Sequence, residues 1–94
     1  MTHRTNEPPS LAEAARELTE PRVLRELGHF GYDCRTRDEL AAVLERAAVH
    51  AVRASDGYAA LGRYDLAAER RERARELRRW AAALRVVHES EIAG

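Results

Sequence analysis

Two long helical patterns separated by one short break constrain this chain more than any other feature. From Arg37 to about Leu61, and again from Leu66 to about Glu89, apolar residues recur at three- and four-residue spacing. Between them stands only Gly62-Arg63-Tyr64-Asp65. Gly62 suits a helix C-terminus with positive φ, and Asp65 suits the N-cap of the next helix. The chain therefore reverses here, and the two segments are expected to form a long antiparallel helical hairpin.

The first segment carries two apolar faces. Leu40, Leu44, Ala47, Ala51, Ala54, Tyr58 and Leu61 form one, and Ala41, Ala48, Val52 and Ala59 form the other, so a single neighbour would not cover both. Gly57 costs this helix about 1 kcal/mol relative to Ala and marks either a bend or a close helix approach. In the second segment Ala67, Ala74, Ala81 and His88 recur every seven residues, interleaved with Leu77 and Leu84. Small residues facing the alanines of the first segment predict close packing, near the lower end of the usual ~8–10 Å axis separation. From Trp80 to Val87 only Arg85 is charged. That stretch is apolar nearly all round and needs cover from the N-terminal part of the chain or from a second subunit.

Ahead of the hairpin, Ser10-Leu11-Ala12-Glu13 has the form of a capping box, followed by a narrow apolar face of Leu11, Ala14, Ala15 and Leu18 in a helix over 11–20. Pro21 fits the first position of a further short helix that turns Val23, Leu24 and Leu27 inward and stops at Gly28. Gly28-His29-Phe30-Gly31-Tyr32-Asp33-Cys34 lacks a helical period and reads as the one substantial loop. Thr36-Arg37-Asp38-Glu39 then repeats the capping box. Residues 1–9 are polar with two prolines and are expected to be a disordered tail, leaving 10–94 as one helical domain. The expected fold is all-α, a three- to four-helix bundle built on the long antiparallel hairpin.

The 94 residues hold ten Leu and six Val but eighteen Ala, so bulky core residues are few. At about 25 cal/mol per Å² of buried apolar surface such a core is thin, and self-association is expected to supplement it.

The stretch from Tyr58 through Leu61-Gly62, Tyr64, Ala67 and Ala74 to Leu77 resembles the turn and second helix of a tetratricopeptide repeat, over about residues 54–77. The resemblance implies that Leu61-Gly62 leads into the turn, that Tyr64 plugs it, and that Ala67 and Ala74 admit the neighbouring helix. Ser55 takes the small position one turn before Tyr58, and Arg71 stands where that family has a bulky aromatic.

Sixteen arginines balance sixteen acidic residues, and there is no lysine. The zero net charge argues against attraction of the whole chain to nucleic acid or to an anionic membrane. The Arg-only usage reads as GC-rich bacterial coding. Cys34 is the single cysteine, and residues 1–9 lack a signal-type apolar stretch, which suits a cytoplasmic protein. No run approaches a membrane span.

His3, His29, His50 and His88 are too dispersed for a metal motif, and no cysteine pair has ligand spacing, so neither metal nor cofactor is expected. Cys34 beside Arg35 lacks a base in any defined pattern, and the carboxylates Glu13, Glu17, Glu72 and Glu76 sit among arginines as a solvated face would. No phosphate loop is present. Catalysis is not expected.

Arg63 to Arg85 contains eight arginines against four acids. Arg71, Arg75, Arg78 and the flanking Arg79 fall near one side of a helix, where they either pair with Glu69, Glu72 and Glu76 or meet a partner. Trp80, with Arg79, Leu84 and Val87, is the expected anchor of an apolar interface, the alternative being an ordinary intramolecular core. The reading is a non-catalytic helical interaction or regulatory module, in a homodimer or with another helical protein. The alternative is a nucleic-acid-binding accessory protein using the Arg-rich face. A helix-turn-helix is disfavoured by the long loop before Arg37 and by Asp38 and Glu39 at the opening of the would-be recognition helix.

Overall fold

The computed structural model describes residues 9–93 and contains four helices, α1 Leu11–Leu18, α2 Pro21–Phe30, α3 Arg37–Ala60 and α4 Tyr64–Ala93. The fold is an all-α bundle in which α3 and α4 pack along their length as an antiparallel hairpin. The tail expected over 1–9 lies outside the described residues except for Pro9.

The hairpin turn is a Schellman closure. The Gly62 amide donates to the Ala59 carbonyl at 3.0 Å and the Arg63 amide to the Tyr58 carbonyl at 2.8 Å, which satisfies carbonyls that the last turn of α3 would leave open. Gly62 alone among the described residues has positive φ, 76°. The N-cap role expected of Asp65 is not taken. α4 starts at Tyr64, two residues before the expected Leu66, with the Arg63 carbonyl accepting from Ala67 at 3.0 Å, and Asp65 contributes negative charge to the first turn.

Both N-caps expected upstream are formed. The Ser10 hydroxyl accepts from the Glu13 amide at 3.1 Å, and the Thr36 hydroxyl accepts from the Glu39 amide at 3.1 Å. The Glu39 carboxylate reaches back beyond Thr36 and accepts from the Arg35 amide at 2.8 Å, one residue before the N-cap amide that a capping box engages. α2 continues through Gly28 to Phe30, two residues past the expected stop, because a Gly weakens a helix without ending it. The real stop is Gly31, where a Cβ would lie 2.9 Å from the Leu27 carbonyl oxygen and 3.3 Å from Leu40.

The core joins both long helices to α2. Ala41, Leu44, Ala48 and Ala51 of α3 meet Ala74, Leu77, Ala81 and Leu84 of α4, with Trp80, Val23 and Leu27 completing the cluster. The two apolar faces read for α3 therefore merge into one broad buried face. Its edges, Leu40, Ala47, Ala54 and Tyr58, are half-buried, and Leu61 is exposed. Close approach is plainest near the turn, where the buried Ser55 hydroxyl donates to the Ala67 carbonyl on α4 at 2.8 Å. A side chain reaching only one atom past Cβ touches the neighbouring backbone only when the helices are tightly spaced. Gly57 has no part in this, since an added Cβ there meets nothing within 4 Å.

α1 lies against α4, with Ala14 buried and Leu18 packed on the core, whereas Leu11 and Ala15 face outward. Leu24 is likewise exposed rather than turned inward, at 52%.

Candidate functional site

The residues expected to form one interaction surface divide between the interior and two sides of α4. Trp80 is fully buried and Leu84 is 3% exposed, so both belong to this chain's own core, which corrects their expected place in an interface. The physical reason is α2: Val23 and Leu27 share the core cluster with them, so cover comes from within the chain. Val87 is half-buried.

Around Trp80 the structure brings together two charged pairs that the sequence holds far apart, Arg22 with Glu26 and Arg73 with Glu76. The Arg22 guanidinium lies 5.7 Å from the indole centroid and that of Arg73 lies 5.3 Å from it, with Arg73 also 5.9 Å from the Phe30 ring. Both cations are neutralised by carboxylates. Arg22 donates to Glu76 at 2.7 Å and to Glu26 at 3.2 Å, while Arg73 pairs with Glu76 at 2.6 Å and with Glu26. Burial of Glu76 opposes its charge, but the hydrogen bonds and charges of Arg22 and Arg73 more than offset this and hold its carboxyl below the usual carboxylate range. The same carboxylates raise both guanidinium groups above the ordinary arginine value, in each case first through the hydrogen bond, from Glu76 for Arg22 and from Glu26 for Arg73. The cluster pins α2 onto α4. Its local pairs, Arg22 with Glu26 and Arg73 with Glu76, have helical spacing and could be read from sequence. The links across 47 and 54 residues could not.

The four arginines of α4 expected to form a binding face, Arg71, Arg75, Arg78 and Arg79, meet different fates. Arg71 donates from Nε to the Ser55 hydroxyl at 3.0 Å and lies 3.8 Å from Asp56. Arg75 pairs with Glu72 at 2.9 Å, as its spacing suggested. Arg79 reaches instead to Glu17 of α1 at 2.7 Å, tying α1 to α4. Arg78 is exposed and has no carboxylate partner among the described residues. Arg71, Arg78 and Arg85 follow one another at seven-residue steps along the α3 seam, and Arg85 pairs with both Asp38 and Glu45. The seam is thus a ladder of ion pairs whose middle rung lacks its acid. At the corresponding place on α3, seven residues before Asp56 and four after Glu45, stands Val49, 45% exposed.

At the open end of the hairpin a groove of about 720 Å³ runs between α2, the 31–36 loop and the last turns of α4. Leu27, Leu40, Cys34 and His88 line it, and its walls carry the exposed Leu24 and Ile92, the latter 73% exposed. Arg37 of α3 pairs with Glu91 of α4 across the rim. Sequence reading missed this groove because it took Leu24 as core and ended α4 near Glu89, before Ile92.

Tyr64 is 71% exposed and does not plug the turn, and Ala67 and Ala74 are buried at the contact between the long helices. Among the described residues no group of three or more His, Cys, Asp or Glu is placed to hold a metal ion, and no helix is long and apolar enough to cross a membrane. Comparisons with family models, with curated proteins and with solved structures find no match for this chain.

Proposed function

We propose that the chain is a non-catalytic helical protein–protein interaction module that self-associates through the groove at the open end of its hairpin. The observation that carries this reading is a groove with Leu27 and Leu40 in its lining and exposed Leu24 and Ile92 on its two walls. A second copy suits it because each wall carries an exposed apolar side chain, Leu24 on α2 and Ile92 on α4. Two-fold pairing sets the α2 wall of each copy against the α4 wall of the other and closes both grooves at once. The lone Cys34 suits a reducing cytoplasm.

Nucleic acid has less support as a partner. Three of the four arginines first singled out on α4, namely Arg71, Arg75 and Arg79, have carboxylates within 3.8 Å, so they offer phosphates little unspent charge.

Light scattering after size-exclusion chromatography, across concentration and at low and high salt, tests the proposal. The expected outcome is a salt-resistant dimer that dissociates in Leu24→Glu and in Ile92→Glu. A monomer at every concentration overturns it.

A further inference from the structure

We infer, resting on the self-association reading above, that pairing through the groove is governed by the protonation of His88. The dimer holds while the imidazole is neutral and loosens as it takes up a proton.

His88 is the fourth member of the seven-residue series Ala67, Ala74, Ala81 and His88 along α4. The three alanines are buried, none more than 5% exposed, at the contact with α3. The fourth place falls where α4 passes the first turn of α3, marked by the pair of Arg37 with Glu91, and there the contact face opens into the groove. A side chain that gains charge near neutral pH thus stands, half-buried, where the series otherwise sets a small apolar one. It also lies one turn after the buried Leu84 and one turn before the exposed Ile92, on the strip of α4 that forms the groove wall.

Ionisable groups face His88 from three sides of the groove. The 31–36 loop brings the Cys34 thiol and Arg35, α3 brings Arg37, and α4 itself brings Glu91, which is paired with Arg37. α2 lines the groove with leucine and glycine only. α1 packs farther back on α4, at Arg79, and adds nothing to the lining. Arg85, three residues before His88, is taken up by Asp38 and Glu45. Before His88 is charged, the lining therefore holds two guanidinium groups and one carboxylate.

Two effects act on an imidazolium in the closed dimer, and both have the same sign. Leu24 of the second copy, set against the Ile92 wall, removes water from the ring, and burial disfavours the charged form. The added proton also raises the lining to three cations against one carboxylate, with less water to screen them. The open groove of a single copy is free of the first effect and screens the second. Closing the groove therefore expels the proton, and by linkage the proton opposes closure. Association is strongest above the imidazole range and falls as pH drops through it, at about pH 6.5 for an unperturbed side chain of this type. Two-fold pairing closes two grooves, so each dissociation takes up as many as two protons, which steepens the dependence.

The test measures the dimer dissociation constant of the full chain by sedimentation equilibrium at pH 7.5 and at pH 5.5 in constant ionic strength, with circular dichroism at both to verify unchanged helix content. The expected result is a dimer at least about tenfold weaker at the lower pH. His88→Gln, neutral at both, should keep the affinity seen at pH 7.5 and lose the dependence. His88→Lys, charged at both, should associate weakly even at pH 7.5. The double variant His29→Gln/His50→Gln, changed at two exposed positions outside the groove, should respond to pH as the parent chain does. A dimer that does not weaken at pH 5.5, or a weakening that survives in His88→Gln, overturns the inference and leaves self-association standing. A monomer at pH 7.5 overturns the self-association reading and this inference with it.

Discussion

At the scale of single residues, Trp80 organises more of this molecule than any other side chain. It is fully buried, flanked by two guanidinium groups, and its indole N–H is the buried side-chain polar atom without a hydrogen-bond partner among the described residues. Leaving such a donor unpaired costs about 1–3 kcal/mol, which the packing of the ring has to outweigh. Trp80→Ala should therefore destabilise by about 3–5 kcal/mol in urea unfolding. Trp80→Phe should cost clearly less, because it keeps a ring for Arg73 and removes the unpaired donor. Glu76 makes a second, pH-dependent contribution. Its folded pKa lies below its unfolded one, so the stability it supplies is present above the ordinary carboxylate range and lost as pH falls through the depressed value. Stability curves on acidification should fall less steeply for Glu76→Gln than for the parent chain. That Trp80 was either an interface anchor or a core residue could be read from the sequence, since an apolar stretch demands cover without naming its source. The choice between them rests on Val23 and Leu27, some 55 residues away, and no local pattern encodes that encounter.

At the scale of elements, glycines separate what the backbone needs from what it tolerates. Gly62 carries φ of 76° to close α3, so Gly62→Ala should cost about 1–2 kcal/mol in thermal or chemical unfolding. Gly57, with open space around it inside the same helix, should behave oppositely, and Gly57→Ala should stabilise by about 0.5–1 kcal/mol. The ion-pair ladder offers a third measurement. Val49→Glu gives Arg78 the acid its neighbours have and should add up to about 1 kcal/mol, an effect that high salt removes. Helix existence, the caps at Ser10 and Thr36 and the reversal at Gly62 were legible because each depends on residues within one turn. The ends of α2 and α4 were not. Gly28 signalled a stop that the helix passes, and it is capped instead at Gly31, where Leu40 of α3 approaches too closely for a side chain.

At the scale of the whole molecule, the chain is a long hairpin with a short N-terminal pair fixed to it by the buried Ala14, Val23 and Leu27 and by ion pairs. Arg79 to Glu17 holds α1, and Arg22 and Arg73 with Glu26 and Glu76 hold α2. Eight arginines form ion pairs among the described residues, and three of them, Arg22, Arg73 and Arg79, tie the short helices to α4. Sequence reading singled out arginines of α4 because they are densest there, and density proved a poor guide, since Arg71 and Arg79 are paired by acids on α3 and α1 and Arg75 by Glu72 of its own helix.

The cage around Trp80 also gives the protein a built-in optical gauge. Trp80 is the only tryptophan, and its indole lies where α2 meets the hairpin, not within the α3–α4 turn. Lifting α2 would admit water to the ring and redden its emission while the ellipticity of the two long helices stayed nearly constant. Tracking both signals through the same unfolding ramp would show whether the short helices let go before the hairpin does, or whether all four melt as a unit.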